Sequence, residues 1–437
     1  MELKMLMKDA GIVGAGGAGF PSYGKLFEGA KTLLVNGSEC EPLLYTDYYL
    51  LKNELSLVLS GIAGVLDAYA IPEAVLAMKE HTASRLSISD GDVLAPRVRV
   101  RVLPNVYPIG DELGLIYEAL GKSVKAGSLP SSVGVIVYNV ETMYNLGRAL
   151  RFGEGVTHKW VTVGGAIDTP TVVHVPIGTP VAELFKKLKI TVPEGHCVID
   201  GGPSMGKPVK LSSAVVTKTT KGLLVLPDEC RAAEGKRINE KMATARAETA
   251  CCQCTRCTDM CPRHLLGYPL EPHKMVRTAM GAATISPVMV ETATLCCGCG
   301  ICETLACSQG ISPRAVINNY KALLAKNKMR YTSDTAPTPA PERDYRMIPA
   351  DRWAYALGIK RYDRVPDEPI SLTFESVRVP ISRHIGMAAV PSVKSGEHVV
   401  AGQKIADAAD GLSVSYHAPI SGIACVLENE IIIDKVN

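Results

Sequence analysis

Between Gly11 and about Leu150 the chain alternates glycine-rich stretches with short apolar runs that each end in polar residues, as in Thr32 to Asn36 and Val133 to Tyr138. Continuously apolar runs of this length read as parallel strands buried on both faces, with functional loops at their carboxyl ends. From Thr157 to Pro203 the pattern changes to β-rich runs, Trp160 to Gly165 and Thr171 to Val175, followed by an amphipathic run from Val181 to Leu188. That combination predicts a small two-layer module of sheet and helix. The charged, alanine-rich stretch from Glu229 to Ala250 predicts a helix, as does Pro313 to Ala325, with proline tolerated in its first turn. The alternating Pro and Ala of Thr335 to Pro341 predict an extended linker, and from about Ile370 short Val/Ile runs between Gly, Pro and Ser predict an all-β tail. The expected organisation is 1–156, 157–228, 229–330, a linker over 331–369, and 370–437.

The chain has 437 residues, 47% hydrophobic and 21% charged, an ordinary globular balance that permits several cores. A net charge of +3 is too small to make nucleic acid or an anionic membrane an obligatory partner. A membrane-spanning helix needs about 18 or more apolar residues in a row. The nearest candidate, Leu55 to Met78, is broken by Asp67, Pro72 and Glu73, so a soluble protein is expected.

Ten of the fourteen cysteines fall between Cys251 and Cys307, in two runs. The first, Cys251, Cys254, Cys257 and Cys261 followed by Pro262, has the bacterial ferredoxin spacing, in which three close thiolates hold one cubane and the fourth reaches a second. The second, Cys296, Cys299, Cys302 and Cys307, is one residue longer before its last member, with Ser308 where proline usually follows. The expected ligand sets are Cys251, Cys254, Cys257 and Cys307 for one 4Fe-4S cluster, and Cys296, Cys299, Cys302 and Cys261 for the other. Cys252 and Cys297 are spare thiols, donors behind the ligands, or the ligands themselves if the register is off by one. Paired zinc sites are the competing reading. A disulfide framework fits a long chain with clustered cysteines poorly, and a reducing compartment is expected. Such a protein carries electrons.

The loop from Gly11 to Lys25 holds Gly14, Gly16, Gly17 and Gly19, which let backbone amides approach a phosphate, while Lys25 offers a point charge. Its Gly14-x-Gly16-x-x-Gly19 spacing matches the dinucleotide fingerprint, but no clear strand precedes it and Phe20-Pro21 interrupts the helix that should follow. A standard Rossmann phosphate site is therefore not expected. A bland flexible loop and a differently built flavin phosphate loop remain open. Polar clusters after several strands, at Asn36 to Pro42, Tyr107 to Glu112 and Asn139 to Thr142, favour one shared ligand crevice. Cys40 beside it reads as a packed thiol.

These segments resemble the flavin-binding core of the NADH-oxidising subunit of respiratory complex I and of the RnfC subunit of ion-pumping ferredoxin oxidoreductases. The resemblance implies an α/β multidomain chain: a Rossmann-like FMN-binding core, an SLBB β-grasp module, a helical two-cluster ferredoxin module and a C-terminal lipoyl-like barrel sandwich. It implies FMN contacts from Gly14, Gly16, Lys25, Asn36, Ser38, Glu39, Tyr107, Gly110, Asp111, Asn139 and Thr142, to which the loop reading adds Gly17. Phe20, Glu41 and Glu112 correspond to residues around NADH. Ala15 stands where the complex I pattern has arginine. Residues 201–206 and 216–220 are RnfC-like. The tail lacks a lipoyl-bearing lysine between Ala408 and Ser413, so docking or assembly is its expected role, and His384 and His417 read as structural.

RnfC carries its barrel sandwich before the flavin core; here the similar text lies after the clusters. That order is similar to the PduS family of cobalamin reductases. The family implies NADH-dependent reduction of cobalamin through bound FMN and two 4Fe-4S clusters, with NADH as substrate and no side chain acting as acid, base or nucleophile. It further implies corrinoid-handling partners such as an adenosyltransferase, microcompartment shell or cargo proteins, and a cytoplasmic location inside a bacterial microcompartment, without nucleic acid or membrane insertion. Residues 1–9 are too short a segment to read as an encapsulation signal. Two other readings are a non-enzymatic electron conduit fed by a separate flavoprotein, and a scaffold whose metal is structural.

Overall fold

The computed structural model describes residues 2–282 and 286–436. The first module is built on a five-stranded sheet in the order Val93–Ala95, Val98–Leu103, Glu73–Lys79, Thr32–Gly37, Val135–Asn139, parallel except for the Val93–Ala95 edge. Leu33, Leu34 and Val35 of the central strand have no exposed surface, as a strand covered on both faces requires. The apolar stretch from Leu55 to Met78 divides into a helix, Leu55–Ala68, and the strand Glu73–Lys79. Helices Leu55–Ala68 and Val140–Phe152 touch backbone to backbone: a Cβ on Gly61 would stand 2.0 Å from the Met143 carbonyl oxygen, and one on Gly147 2.0 Å from that of Leu57. Helix Glu112–Leu120 covers the other face through Leu115 and Ile116.

A helix, Glu2–Asp9, precedes the glycine loop, and no strand leads into it. The loop is a closed hairpin instead, pinned by a Val13–Pro21 bridge and by Gly14 N–H on the Phe20 carbonyl at 2.9 Å.

The second module is a six-stranded mixed sheet, in the order Lys207–Val209, His196–Asp200, Gly222–Pro227, His158–Gly165, Thr171–Pro176, Ile370–Ser371, with helix Val181–Lys187 on one face. Its last strand comes from the start of the expected tail: Ile370–Ser371 pairs with Val173–His174, and the first strand of the tail's own sheets is Ser376–Pro380. The single helix expected over 229–250 is two, Arg231–Arg237 and Glu240–Ala250. Ile238 is extended, and the Asn239 side chain accepts from Met242 N–H at 3.0 Å, restarting the helix as an N-cap. Helix Pro313–Lys326 begins as expected, capped by Ser312.

The expected linker over 331–369 needs correction. Residues 336–340 belong to no helix or strand, but Ala350–Ala356 is a helix that buries Trp353 completely. Leu357 and Ile359 are buried with it, an apolar pattern that no solvated linker would carry. The tail forms two small sheets, one of Ser376–Pro380, Glu430–Asp434, Gly422–Val426 and His398–Val399, the other of Val390–Pro391, Lys404–Asp407 and Tyr416–His417. Its core is continuous with that of the first module, through residues such as Ile12, Val414 and Tyr416. Among the described residues no single helix is long and apolar enough to cross a membrane.

Candidate functional site

The carboxyl ends of the strands Thr32–Gly37 and Val135–Asn139 open onto the glycine loop. Gly16 and Gly17 are exposed, and a Cβ on Gly17 would meet nothing within 4 Å. Ala15 N–H donates to Thr142 Oγ1 at 3.3 Å, which holds the loop over the start of helix Val140–Phe152. Lys25 Nζ lies 2.7 Å from Glu112 Oε1 and 3.2 Å from the Val137 carbonyl, at the strand end. Asn36 Nδ2 donates to the Gly110 carbonyl at 3.1 Å and its Oδ1 accepts from Ser38 N–H at 2.9 Å. Asn139 Nδ2 donates to Asp47 Oδ2 at 2.8 Å, and its Oδ1 caps the helix through Glu141 N–H at 2.9 Å. Glu39 accepts from Thr46 Oγ1 at 2.7 Å; burial, and then the Asp47 charge, raise its carboxyl to about 7. The predicted residues Gly14, Gly16, Gly17, Lys25, Asn36, Ser38, Glu39, Gly110, Asn139 and Thr142 thus surround one crevice. Exposed amides with a half-buried ammonium beside them suit a phosphate. Burial pushes the Cys40 thiol up to about 12, as befits a packed cysteine.

Three expected cofactor residues are engaged elsewhere. Glu41 accepts from the amides of Ser204, at 2.9 Å, and Met205, at 2.8 Å, so it fastens the crevice to the 201–206 loop of the second module. Tyr107 is buried, stacked on Trp353 with ring centroids 4.6 Å apart, and its hydroxyl donates to the Cys299 carbonyl at 2.8 Å. Asp111 caps helix Glu112–Leu120 and pairs with Arg263 at 2.7 Å. Each is a polar side chain used to join modules, and the local pattern that suggested a ligand contact does not distinguish the two uses. Phe20 is half-buried, its ring against Gly24.

Motif reading missed the floor of the crevice. Lys159 and Lys221 from the second module meet Glu141 and Asp47 from the first in a buried network. Lys159 reaches Glu141, Lys221 reaches Asp47, and Lys221 also stands 3.1 Å from Glu141 Oε2. Burial raises the Glu141 carboxyl, but the two ammoniums outweigh it and hold it below the usual range. Two cations against two anions leave no unpaired charge, the condition under which such burial is tolerated. The available signal was a lysine at the start of an apolar strand run, at Lys159 within His158–Gly165 and at Lys221 just before Gly222–Pro227.

The cysteines fall into two groups. Cys251, Cys252, Cys254, Cys257 and Cys307 line one cavity, and Cys257 lies within electrostatic reach of Cys251, Cys254 and Cys307. Cys302 is within reach of Cys296 and Cys261, and of Cys257 across the gap. Gly298 N–H points at Cys296 Sγ, 3.4 Å away, a contact of the kind that tunes cluster potential. Among the described residues no three His, Cys, Asp or Glu side chains stand close enough for a single metal ion. Cys252 and Cys254 are exposed, whereas Cys261, Cys299 and Cys302 are buried. Through Tyr107 on Cys299 and Asp111 on Arg263, the buried group is the one joined to the crevice module.

Residues 7–148 match the Nuo51 FMN-binding domain, residues 250–312 a 4Fe-4S dicluster domain, and residues 367–435 the RnfC barrel sandwich hybrid domain. Cobalamin reductase PduS of Salmonella typhimurium is 36% identical, over 99% of this chain and 96% of that protein. The chain belongs to the PduS family. PduS of Citrobacter freundii is 37% identical, over 95% of this chain and 92% of its own length. One component of the ion-translocating oxidoreductase complex of Rhodobacter capsulatus is 32% identical, over 65% of this chain and 54% of that one. This PduS-family chain is an oxidoreductase whose cofactors are FMN and 4Fe-4S clusters. The open glycine cradle fits a flavin phosphate, and two all-cysteine groups fit cubanes.

Proposed function

We propose that this protein takes electrons from NADH and reduces cobalamin, from cob(III)alamin to lower oxidation states, to reactivate the corrinoid cofactor of a microcompartment diol dehydratase. The observation that carries the reading is the join between crevice and cluster loops: Tyr107 on the Cys299 carbonyl and Asp111 on Arg263 put the flavin crevice and the buried cysteine group in one packed body. The PduS relatives support cobalamin as acceptor.

Bound flavin accepts two electrons as hydride and yields them singly, and each cubane carries one. The amides of Gly14, Gly16 and Gly17 with Lys25 would hold the FMN phosphate, and Asn36, Ser38, Asn139 and Thr142 would orient the rest. Glu112 is the expected nucleotide contact that faces the crevice through Lys25, and Phe20 closes the glycine hairpin. The buried Lys159, Glu141, Lys221 and Asp47 network would fix the crevice floor by joining the two modules beneath it. Cys296, Cys299, Cys302 and Cys261 would hold the cluster nearer the flavin; Cys251, Cys254, Cys257 and Cys307 would hold the outer one. We read the first module as Rossmann-like without the Rossmann phosphate loop, and the second as an SLBB β-grasp. An adenosyltransferase and shell or cargo proteins are the proposed partners, inside a bacterial microcompartment.

The test is anaerobic. Iron-reconstituted, FMN-supplemented protein is mixed with NADH, and flavin and cluster bleaching, then cob(III)alamin reduction, are followed by absorbance. Bleaching followed by corrinoid reduction, with flavin lost from a Lys25→Ala variant, is the expected result. If NADH leaves both chromophores oxidised while dithionite reduces them, the chain is a conduit fed by another flavoprotein.

A further inference from the structure

We infer that electrons leave through a cleft beside Cys307, and that this cleft seats the corrinoid itself. The inference rests on the cobalamin-reductase reading above and assigns the place where that acceptor binds. The cleft has a volume of about 440 Å³ and is lined by Arg231, Glu234, Arg237, Met242, Arg246 and Glu303, with Cys307 and Ser308 also in its wall. Small-molecule sites usually measure about 300–1,000 Å³. A space of this size, open to solvent, would seat one edge of a macrocycle and leave the rest of the ring outside. It opens at the outer cysteine group, while the buried group faces the flavin crevice, so a ligand here would lie at the far end of the electron path.

The lining matches the rim of a corrinoid, which carries amide side chains and one phosphodiester. Arg246 is exposed and, among the described residues, makes one protein hydrogen bond, to the Gly310 carbonyl at 3.2 Å. Arg231 donates to the Thr304 carbonyl at 2.9 Å and, among the described residues, pairs with no carboxylate. Those guanidiniums retain donors for amide carbonyls and for the phosphodiester. Glu234, exposed, retains acceptors for amide N–H groups. Met242, 41% exposed, offers a polarisable thioether that adapts to a flat apolar face. Electrons balance without another reductant: one NADH gives NAD+, a proton and two electrons, which convert two Co(III) centres to Co(II).

The experiment uses the holoprotein, loaded with FMN and clusters, with hydroxocobalamin as probe. Binding is measured by ultrafiltration of the oxidised protein, and reduction by absorbance after NADH. In a Met242→Glu/Arg246→Glu variant, binding should weaken about tenfold or more, and reduction at low cobalamin should slow in proportion. NADH-driven bleaching and the cluster electron paramagnetic resonance spectrum should match wild type, since both residues lie on the exposed side of a helix. Wild-type binding and reduction in the variant would overturn the cleft assignment and leave the reductase reading intact. If wild-type protein bleaches with NADH yet neither binds nor reduces cobalamin, both fall together. That result would move the search to a protein acceptor.

Discussion

The Tyr107 hydroxyl donates to the carbonyl oxygen of Cys299 at 2.8 Å, and the same ring stacks on Trp353, whose Nε1 donates to Ser204 Oγ at 2.9 Å. One side chain thus links the crevice module, the cluster loop, the segment after the clusters and the second module.

Tyr107→Phe keeps the stacking but leaves the Cys299 carbonyl without this donor, at a cost of roughly 1–3 kcal/mol. Electron transfer from flavin to clusters should slow in stopped-flow absorbance, while dithionite reduces the clusters as in wild type. Unchanged transfer would show that the bond is structural only.

Glu141→Gln leaves Lys159 and Lys221 with Asp47 as their one remaining partner in the network. Breaking a buried ion network in this way costs about 3–5 kcal/mol. Urea unfolding should show that loss, and the paired Lys159→Met/Glu141→Leu variant should lose less, because it removes one charge of each sign.

Cys254→Ser and Cys299→Ser should each lose one cluster, lowering bound iron by about half. Cys252→Ser and Cys297→Ser should keep full iron. Iron content of Cys252→Ser near that of Cys254→Ser would mean that the ligand register begins one residue later.

Lys218 is buried between the modules, its Nζ donating to the carbonyls of Gly11 at 2.7 Å and Ser415 at 2.9 Å, and standing 3.8 Å from the centre of the Tyr416 ring. Burial without a carboxylate lowers its pKa to about 7, against about 10.4 in the unfolded chain. Between those values the unfolded state binds more protons, so stability rises with pH. Wild type should gain stability relative to Lys218→Met between about pH 7 and pH 10 in urea titrations. A difference flat across that range would contradict a depressed pKa.

The glycine loop shows how far sequence reasoning reaches. The missing strand and Phe20-Pro21 correctly ruled out a standard phosphate loop, and the structure closes a hairpin there, with Ile385 of the tail donating to the Gly19 carbonyl at 3.1 Å. Nothing near Gly19 in the sequence pointed to the tail as its neighbour.

Sequence alone determined what depends on local spacing. It set the two cysteine runs, the doubly buried strand at Thr32 to Asn36 with its polar end, the helix after Ser312 and the β texture of the tail. These follow from ligand spacing, periodicity and caps, which act over a few residues. Tertiary structure decided what each polar side chain meets: Glu41 takes the amides of Ser204 and Met205, Asp111 meets Arg263, and Lys159 and Lys221 find Glu141 and Asp47. A carboxylate fit for a nucleotide is equally fit for a backbone amide or an ammonium. Which one it receives is settled by packing between distant segments, and that leaves no periodic trace in the chain.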